Sequence, residues 1–231
     1  MSTSPTRGGY FELSPDNSTA SRTLGESAAA ELHRMILAGE LPAGSPLRLT
    51  DLAAHLDMSP MPVRDALRRL EALGLVEIIP HKGAKVRELS EADLRDTYEV
   101  RIDLESLAVG RAALAMDADV AARAATALAQ HEELLERGDV ERARHAHTEF
   151  HFAIYHASGS RWLPRAIEPV WQNSERYRFA STPDAERRRL SHLEHQAILD
   201  ACVAREPERA IAALRGHLEG AMTRILAGMA H

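Results

Sequence analysis

Residues Leu49 to Val86 constrain the fold of this chain more than any other segment. The pattern predicts a short apolar helix from Thr50 to Leu56 with Thr50 as its N-cap, followed by the turn Asp57-Met58-Ser59-Pro60. A second helix is predicted after the turn, because apolar residues then recur at helical spacing. The residues expected on its buried face are Val63, Ala66, Leu67, Leu70 and Leu73. The segment therefore predicts two short helices joined by a tight turn.

Two β-prone runs follow these helices, from Leu75 to Ile79 and from Ala84 to Arg87. The turn Pro80-His81-Lys82-Gly83 separates them and carries a cation at its tip. The outer face of the second helix is expected to present Arg64 and Arg68. A helix pair followed by a basic hairpin predicts a winged helix, which can insert one helix into the major groove of DNA and rest its wing on the backbone.

The charge distribution favours a local contact with nucleic acid. The 231 residues carry a net charge of −6, which argues against a protein that binds polyanions with its whole surface. Between Ser59 and Arg87, however, six cations outnumber three anions, a net charge of +3. This patch predicts that double-stranded DNA contacts the winged helix alone.

The single cysteine, Cys202, lies among apolar residues, so we expect it to be buried. One cysteine cannot form an internal disulfide, which fits a reducing, cytoplasmic location. The N-terminal residues are polar and rich in Pro, Ser and Gly, and no apolar run is long enough to span a bilayer. We therefore expect no signal peptide, no membrane partner and a disordered extension over residues 1–22.

The predicted fold is mainly α, with three helices and a small β-hairpin wing in an N-terminal winged helix-turn-helix domain over residues 23–89. The first helix is predicted from Glu26 to Ala38. A second domain over residues 90–231 begins at Ser90, which has capping-box spacing to Asp93. We expect it to be an antiparallel all-α bundle of about six helices, because alanine and leucine are frequent and aromatic residues are few. The helices are predicted near Glu91–Met116, Ala118–Arg137, Val140–Ser158, Arg161–Ala180, Asp184–Ala204 and Glu208–Met229.

Four of the twelve histidines fall where the bundle helices should carry apolar side chains. His147 and His151 are four residues apart on one helix face, while His195 and His217 interrupt the apolar stripes of the fifth and sixth helices. A buried imidazole must be hydrogen-bonded, protonated or bound to a metal. The four rings therefore either bind one divalent ion or are ordinary core histidines. Arg101, in the first bundle helix, either reaches solvent or projects into the cavity. The histidines expected at the surface or in supporting positions are His33, His55, His131, His145, His156, His192 and His231.

Together these segments resemble the GntR family of bacterial transcription regulators, specifically the FadR-like branch with a C-terminal FCD effector domain. The resemblance covers residues Glu26 to Gly228. In the N-terminal part it is carried by ILAGELPAGSPL, LAAHLDMSPMPVRDALRRLEALGLV and PHKGAKV. In the C-terminal part it is carried by VRIDLESLAVGRAAL, EFHFAIYHASGS, EHQAILDACVAREPERA and HLEGA. It implies a winged helix followed by a helical domain that binds an effector.

The resemblance also implies a divalent metal site, which such domains typically form from an Asp, a His four residues later and two further His residues. The matching positions are His147, His151, His195 and His217, so that His147 replaces the usual Asp. An all-histidine site favours Zn²⁺ or Ni²⁺ over Mn²⁺, whereas water completes the site if His147 has swung away. The sequence leaves both alternatives open.

The segment expected to read DNA departs from the family pattern at two positions. Pro60 stands where an arginine commonly follows the serine at the start of the second helix, and Met61 stands where Thr is usual. Arg64 is therefore expected to carry more of the direct base readout, most simply as a bidentate donor to guanine. The residues expected to contact DNA are Thr50 and Ser59 on phosphates, Met61, Arg64 and Arg68 on the second helix, and His81, Lys82 and Gly83 in the wing.

The resemblance implies a homodimeric, effector-responsive transcription regulator, usually a repressor. Two winged helices would bind the half-sites of a short palindromic operator. A small organic acid would bind at or near the metal, where Arg101 could pair with its carboxylate. Two rival functions fit parts of the sequence: a helical metalloenzyme, and a winged helix that contacts only protein. No clear general base accompanies the histidines, and the winged helix has no obvious role in an enzyme, so we expect the chain not to be one.

Overall fold

The computed structural model describes residues 23–80, 82–179 and 185–229. The extension expected over residues 1–22 lies outside this range. Within it, the N-terminal part contains three helices and three short strands. Their bounds are Leu24–Leu37 for α1, Pro46–Leu47 for β1, Leu49–His55 for α2, Pro60–Ala72 for α3, Val76–Ile79 for β2 and Gly83–Val86 for β3. This arrangement confirms the predicted helix-turn-helix and wing.

The first helix begins two residues earlier than predicted, because Thr23 and Glu26 form a capping box. The Thr23 hydroxyl accepts a hydrogen bond from the Glu26 amide at 3.2 Å, and the Glu26 carboxylate accepts one from the Thr23 amide at 3.0 Å. The prediction of Thr50 as an N-cap is wrong. Helix α2 is capped by Arg48 without a side-chain hydrogen bond, and Thr50 lies inside the helix with its hydroxyl 3.1 Å from the Asp51 carboxylate.

The wing is part of a three-stranded antiparallel sheet in the order β1-β3-β2. Strand β1 was not predicted. A strand of two residues is too short to show strand periodicity. Its conformation is fixed by pairing with β3, where Leu47 lies opposite Ala84. Strand β3 also pairs with β2, from Val76 opposite Val86 to Ile79 opposite Gly83.

A separate apolar core holds the winged helix together. Helix α3 packs on α1 and α2, and its expected buried face is confirmed except for Leu73, which ends the helix and is only partly buried. The largest fully buried side chains of this core are Leu32, Leu70 and Leu75. Because α3 buries one face completely, its opposite face is held in one orientation toward solvent.

The C-terminal part is a bundle of six helices, as predicted. Their bounds are Glu91–Ala115 for α4, Ala118–Glu136 for α5, Val140–His156 for α6, Leu163–Phe179 for α7, Ala185–Val203 for α8 and Pro207–Met229 for α9. Aromatic and alanine residues fill the core, where Trp171, Phe150 and Cys202 are fully buried, so the expectation for Cys202 is confirmed. Among the described residues, no helix is long and apolar enough to cross a membrane.

Ser90 caps α4, because its hydroxyl accepts a hydrogen bond from the Asp93 amide at 3.1 Å. The second half of the capping box is replaced by a contact with α7. The Ser90 amide donates to the hydroxyl of Tyr177 at 3.2 Å, and that hydroxyl donates to the Asp93 carboxylate at 2.6 Å. The neighbouring Arg176 donates to the backbone carbonyl of Arg87. Helix α7 therefore holds the segment that joins the two parts of the chain.

Helix α7 also contacts the N-terminal part directly, through α1. His33 of α1 faces Gln172 of α7 and is only 9% exposed, so it is a buried residue rather than a surface one. Its burial lowers its pKa to about 4. The sequence pattern of α1 could not show this, because the partner that covers His33 lies on another domain.

Candidate functional site

Four histidines converge in the interior of the bundle. His147 and His151 come from α6, His195 from α8 and His217 from α9. One ring nitrogen from each lies within 4.8 Å of the others, and all four side chains are buried. The spacing of four residues between His147 and His151 places their rings on one helix face in an edge-to-face arrangement, with centroids 4.7 Å apart. The structure therefore brings together all four residues singled out from the sequence.

The interior of the bundle disfavours the charged form of all four rings. Burial lowers the pKa of His147, His151 and His195 well below the usual histidine value, and each ring is further disfavoured as a cation by the other histidines or nearby arginines. Burial also lowers the pKa of His217, although its hydrogen bond to Glu194 acts in the opposite direction. Neutral imidazoles are the protonation state that binds metal ions.

The orientation of His151 is set by a chain of hydrogen bonds. The hydroxyl of Tyr155 donates to the Glu105 carboxylate at 2.5 Å, so it can only accept from Nδ1 of His151, at 3.1 Å. This places the proton on Nδ1 and leaves Nε2 with a free lone pair. Nε2 is buried and has no hydrogen-bond partner among the described residues. A second residue that fixes the tautomer in this way is typical of metal-binding histidines.

His217 and His195 point to the same chemistry. Nδ1 of His217 lies 2.8 Å from the Glu194 carboxylate, the arrangement by which a carboxylate orients a metal ligand. Both ring nitrogens of His195 are buried without a partner in the part of the chain that the structure describes. An unsatisfied buried polar group costs about 1 to 3 kcal/mol. The donor set and its unpaired nitrogens therefore fit a divalent metal ion.

The position that departs from the family pattern, His147, remains in the cluster and has not swung away. A guanidinium nitrogen of Arg178 lies 3.0 and 3.1 Å from its two ring nitrogens. The same nitrogen donates to the buried carboxylate of Glu175 at 3.0 Å. A cation thus approaches the cluster at the position where the family resemblance implies an acidic ligand.

Arg101 projects into the bundle, which resolves the alternative left open by the sequence. It is 2% exposed, and its guanidinium donates to Glu105 at 2.7 Å and to Ser174 at 3.0 Å. The same group lies over the rings of Tyr98 and Trp171, at 4.9 and 4.7 Å from their centroids. Its charge is therefore balanced within the protein.

The candidate DNA-reading surface lies on the outer face of α3. Arg64 and Arg68 are exposed and form no ion pair with the described residues. Met61 is 64% exposed at the start of the helix, and Pro60 occupies its first position. Ser59 caps the helix without a side-chain hydrogen bond, which leaves its hydroxyl available to another partner. By contrast, Arg69 of the same helix pairs with Glu26 at 3.5 Å.

The wing contributes less positive charge than the sequence count indicates. Lys82 is exposed, but Lys85 pairs with Glu77 at 3.4 Å and Glu88 at 3.5 Å. Gly83 begins β3 with a φ of 94°, a conformation that L side chains rarely adopt. His81 lies outside the described residues. Of the six cations counted in this segment, Arg64 and Arg68 on α3 and Lys82 and Arg87 at the wing form no ion pair with the described residues.

Comparisons with known proteins assign the family. Residues 24–86 match the model of the bacterial regulatory proteins of the gntR family, and residues 96–220 match the FCD domain. The chain is 32% identical to the uncharacterized HTH-type transcriptional regulator BphR of Paraburkholderia xenovorans (strain LB400), over 93% of this chain and 90% of that protein. It is 31% identical to the HTH-type transcriptional repressor GlaR of Escherichia coli (strain K12), over 79% of this chain and 87% of that protein.

Among solved structures, the fold is similar to that of E. coli McbR/YncC, with a TM-score of 0.78 and 25% identity over 90% of this chain and 99% of that one. It is also similar to a GntR regulator from Rhodococcus sp. RHA1, with a TM-score of 0.72 and 25% identity over 88% of this chain and 97% of that one. The chain belongs to the GntR family of DNA-binding transcription regulators and carries a C-terminal FCD domain. The relatives are named as regulators, which agrees with the expectation that the chain is not an enzyme.

Sequence reasoning missed several residues around the histidines. Arg178, Glu175 and Trp171 lie on α7, for which no site was predicted, and Trp171 stacks against His147 at 5.4 Å. His131 is buried beside the cluster, where its Nδ1 bonds to the backbone carbonyl of Ala143 at 2.7 Å. The sequence did offer one signal for these residues, because the helix carries Trp, Glu and two Arg within eight residues. Only the packed bundle shows which of these side chains point inward.

Proposed function

We propose that this protein is a homodimeric repressor whose affinity for operator DNA is lowered by a small organic acid bound at a divalent metal in the helical bundle. The observation that carries this proposal is the buried four-histidine cluster, in which Nε2 of His151 and both ring nitrogens of His195 have no partner among the described residues. The proposed metal binding rests on that cluster, and the proposed DNA binding rests on the exposed arginines of α3. We place the boundary between the two domains at residues 89 and 90, where the capped helix α4 begins.

His147, His151, His195 and His217 would hold the ion. Four imidazole ligands suit Zn²⁺ or Ni²⁺ better than Mn²⁺, which prefers oxygen. When bound, the ion supplies a positive charge and coordination positions for a carboxylate oxygen. The protein's own contribution is to hold the ligand nitrogens in place through Tyr155 and Glu194.

Arg64 is the residue proposed to read base edges, and Arg68 and Lys82 are proposed to contact the DNA backbone. Thr50 and Ser59 would hydrogen-bond phosphates, while Met61 would make apolar contact in the groove. His81 and Gly83 would bring the wing close to the backbone. For the residues that the structure describes, these assignments follow from exposure and from position on α2, on α3 and in the wing.

Helix α7 is the element proposed to couple the two sites. Its inward face contributes Trp171 and Arg178 beside the histidines. Residues at the other side of the same helix, Arg176 and Tyr177, hold the segment between the domains. A ligand that displaces Arg178 would therefore act on the helix that positions the winged helix. Such coupling requires that the ligand binds one arrangement of the domains more tightly than the other.

The homodimer is proposed to form through α4. Val100, Leu107 and Leu114 are 40, 53 and 65% exposed and recur every seven residues along the helix. Asp103 and Arg111 are exposed, and they stand four residues before and four after Leu107. A two-fold axis at Leu107 would pair Val100 with Leu114 and Asp103 with Arg111 between antiparallel helices. The same surface is thus complementary to itself in both shape and charge.

Replacing Leu107 with glutamate should convert the protein to a monomer, because two like charges would meet on the two-fold axis. Sedimentation equilibrium would measure the mass, and circular dichroism would check that the bundle stays folded. Leu193→Glu is the matched control, since Leu193 is 52% exposed on α8. A Leu107→Glu variant that remains a dimer would exclude this interface.

Titrating the metal-loaded protein with small organic acids should weaken its binding to the promoter DNA of its own gene. The expected loss is roughly 5- to 150-fold, the range typical of allosteric coupling. Fluorescence anisotropy of labelled DNA would measure it. The proposal fails if no acid changes the DNA affinity and removal of the metal changes neither stability nor DNA binding.

A further inference from the structure

The carboxylates inside the bundle are already paired with arginines before any metal ion is added. Arg101 pairs with Glu105 at 2.7 Å, Arg178 with Glu175 at 3.0 Å, and Arg224 with Glu194 at 2.9 Å. Imidazole rings bind metal ions in their neutral form, so the four histidines bring no negative charge. The half-buried Arg144 adds a further cation that interacts with Glu175. No anionic group is left over within the described part of the site.

A divalent ion bound by four neutral imidazoles therefore keeps its charge of +2. Burying an uncompensated charge is costly, and a buried ion requires counter-charge from its ligands or its surroundings. A metal site in which one coordinating side chain is a carboxylate needs one further negative charge from the bound effector. The site of this chain, with His147 in that position, needs two.

Two hydrogen-bond donors around Arg101 also lack acceptors among the described residues. The hydroxyl of Tyr98 and the indole nitrogen of Trp171 are buried, and neither has a partner in the described structure. Both rings contact the Arg101 guanidinium, and the Trp171 ring lies 5.4 Å from His147 and 5.0 Å from His151. An indole N–H can only donate, so Trp171 requires an acceptor atom. These donors favour a ligand with several oxygen atoms.

We infer that this site selects an organic dianion, with two carboxylate groups, over a monocarboxylate of the same length. This inference rests on the metal and effector site of the proposed function and names the class of ligand. One carboxylate compensates the metal ion, and the other is recognised by Arg178 and the unpaired donors. His147 is the residue that determines this preference, because it coordinates the metal as a neutral side chain. The effector must therefore balance the full charge of the metal ion.

The test compares three matched pairs of acids on the full-length, zinc-loaded protein: malonate with propionate, succinate with butyrate, and glutarate with valerate. Isothermal titration calorimetry gives each affinity, and elemental analysis gives the metal content. We expect at least one dicarboxylate to bind about tenfold or more tightly than its partner, which corresponds to about 1.4 kcal/mol. His147→Asp should reduce that ratio by about tenfold, since the new carboxylate supplies one of the two charges. His147→Asn is the control that keeps the position neutral, and it should retain the preference.

A second variant keeps the test decisive if His147→Asp loses the metal. Arg178→Gln should lower the affinity for the dicarboxylate about tenfold and leave the affinity for the monocarboxylate unchanged. The inference is overturned if metal-loaded wild-type protein binds both members of every pair equally, or if His147→Asp and His147→Asn shift the ratio alike. In those cases an acid can still control DNA binding, and the proposed function stands. If the wild-type protein binds no metal, the proposed function fails and this inference fails with it.

Discussion

Zinc added to the metal-free protein is expected to raise its melting temperature by about 10 °C at a free ion concentration near a thousand times the Kd. Binding at that ratio stabilises the folded state by about 4 kcal/mol, and each kcal/mol shifts the midpoint of a bundle of this size by roughly 2–4 °C. The gain should disappear in His151→Ala and His195→Ala, because each removes a ligand. His33→Ala is the matched control, a buried histidine outside the cluster that should keep the increment. An equal increment in His195→Ala would contradict the assignment.

The variant His195→Leu tests the same site without relying on metal affinity alone. Both nitrogens of His195 are buried without partners, so an apolar side chain of similar size removes a cost of about 1 to 3 kcal/mol from the metal-free protein. The variant should be as stable as wild type, or more stable, in the presence of a chelator. In the presence of zinc, the wild-type protein should be the more stable of the two. Thermal unfolding with and without the ion would measure both, and a variant less stable than wild type in both conditions would indicate an ordinary core histidine.

Arg64→Ala is expected to reduce operator affinity by about 1–3 kcal/mol, roughly 5- to 150-fold, and to relax specificity at one base pair. The reason is that Arg64 is exposed on α3, while the side chains of Pro60 and Met61 offer no hydrogen-bond donor at the start of the helix. Arg68→Ala should instead weaken binding to all sequences alike and lower the salt slope by about 1. Anisotropy titrations over a range of salt concentrations separate these two effects.

Arg69→Ala provides the control on the same helix. Arg69 pairs with Glu26 inside the winged helix, so its removal should leave operator affinity nearly unchanged. Thermal unfolding of each variant would show whether the domain remains folded. A loss of affinity in Arg69→Ala as large as that in Arg64→Ala would mean that charge alone, rather than position, governs binding.

Much of this architecture follows from local patterns in the sequence. The helices carry clear periodicity and explicit end signals, such as Ser90 at the start of α4, and for this reason their bounds are close to those predicted. The four histidines stood out because polar rings at apolar positions of a helix need a reason to be buried. The two-residue strand β1 could not be found, because its conformation depends on a partner almost forty residues away.

The residues that surround the histidines could not be predicted from the sequence, for a related reason. Arg101 could equally have reached solvent, and its place in the core depends on Glu105 of its own helix and Ser174 of α7. Arg178 and Trp171 join the site only when α7 packs against α4 and α6. A helix pattern gives the face on which a residue lies but not the partner that it meets. Convergence of several helices therefore decides the charge balance of the site.

Operator affinity in four states of the protein tests the central claim most directly: metal-free, with zinc, with a dicarboxylate, and with both. Fluorescence anisotropy would give the Kd in each state for wild type and for His195→Leu. The account predicts that only the combination of zinc and dicarboxylate weakens DNA binding, roughly 5- to 150-fold, and that His195→Leu abolishes the effect. Equal affinities in all four states, or a full response to the acid without the metal, would contradict it.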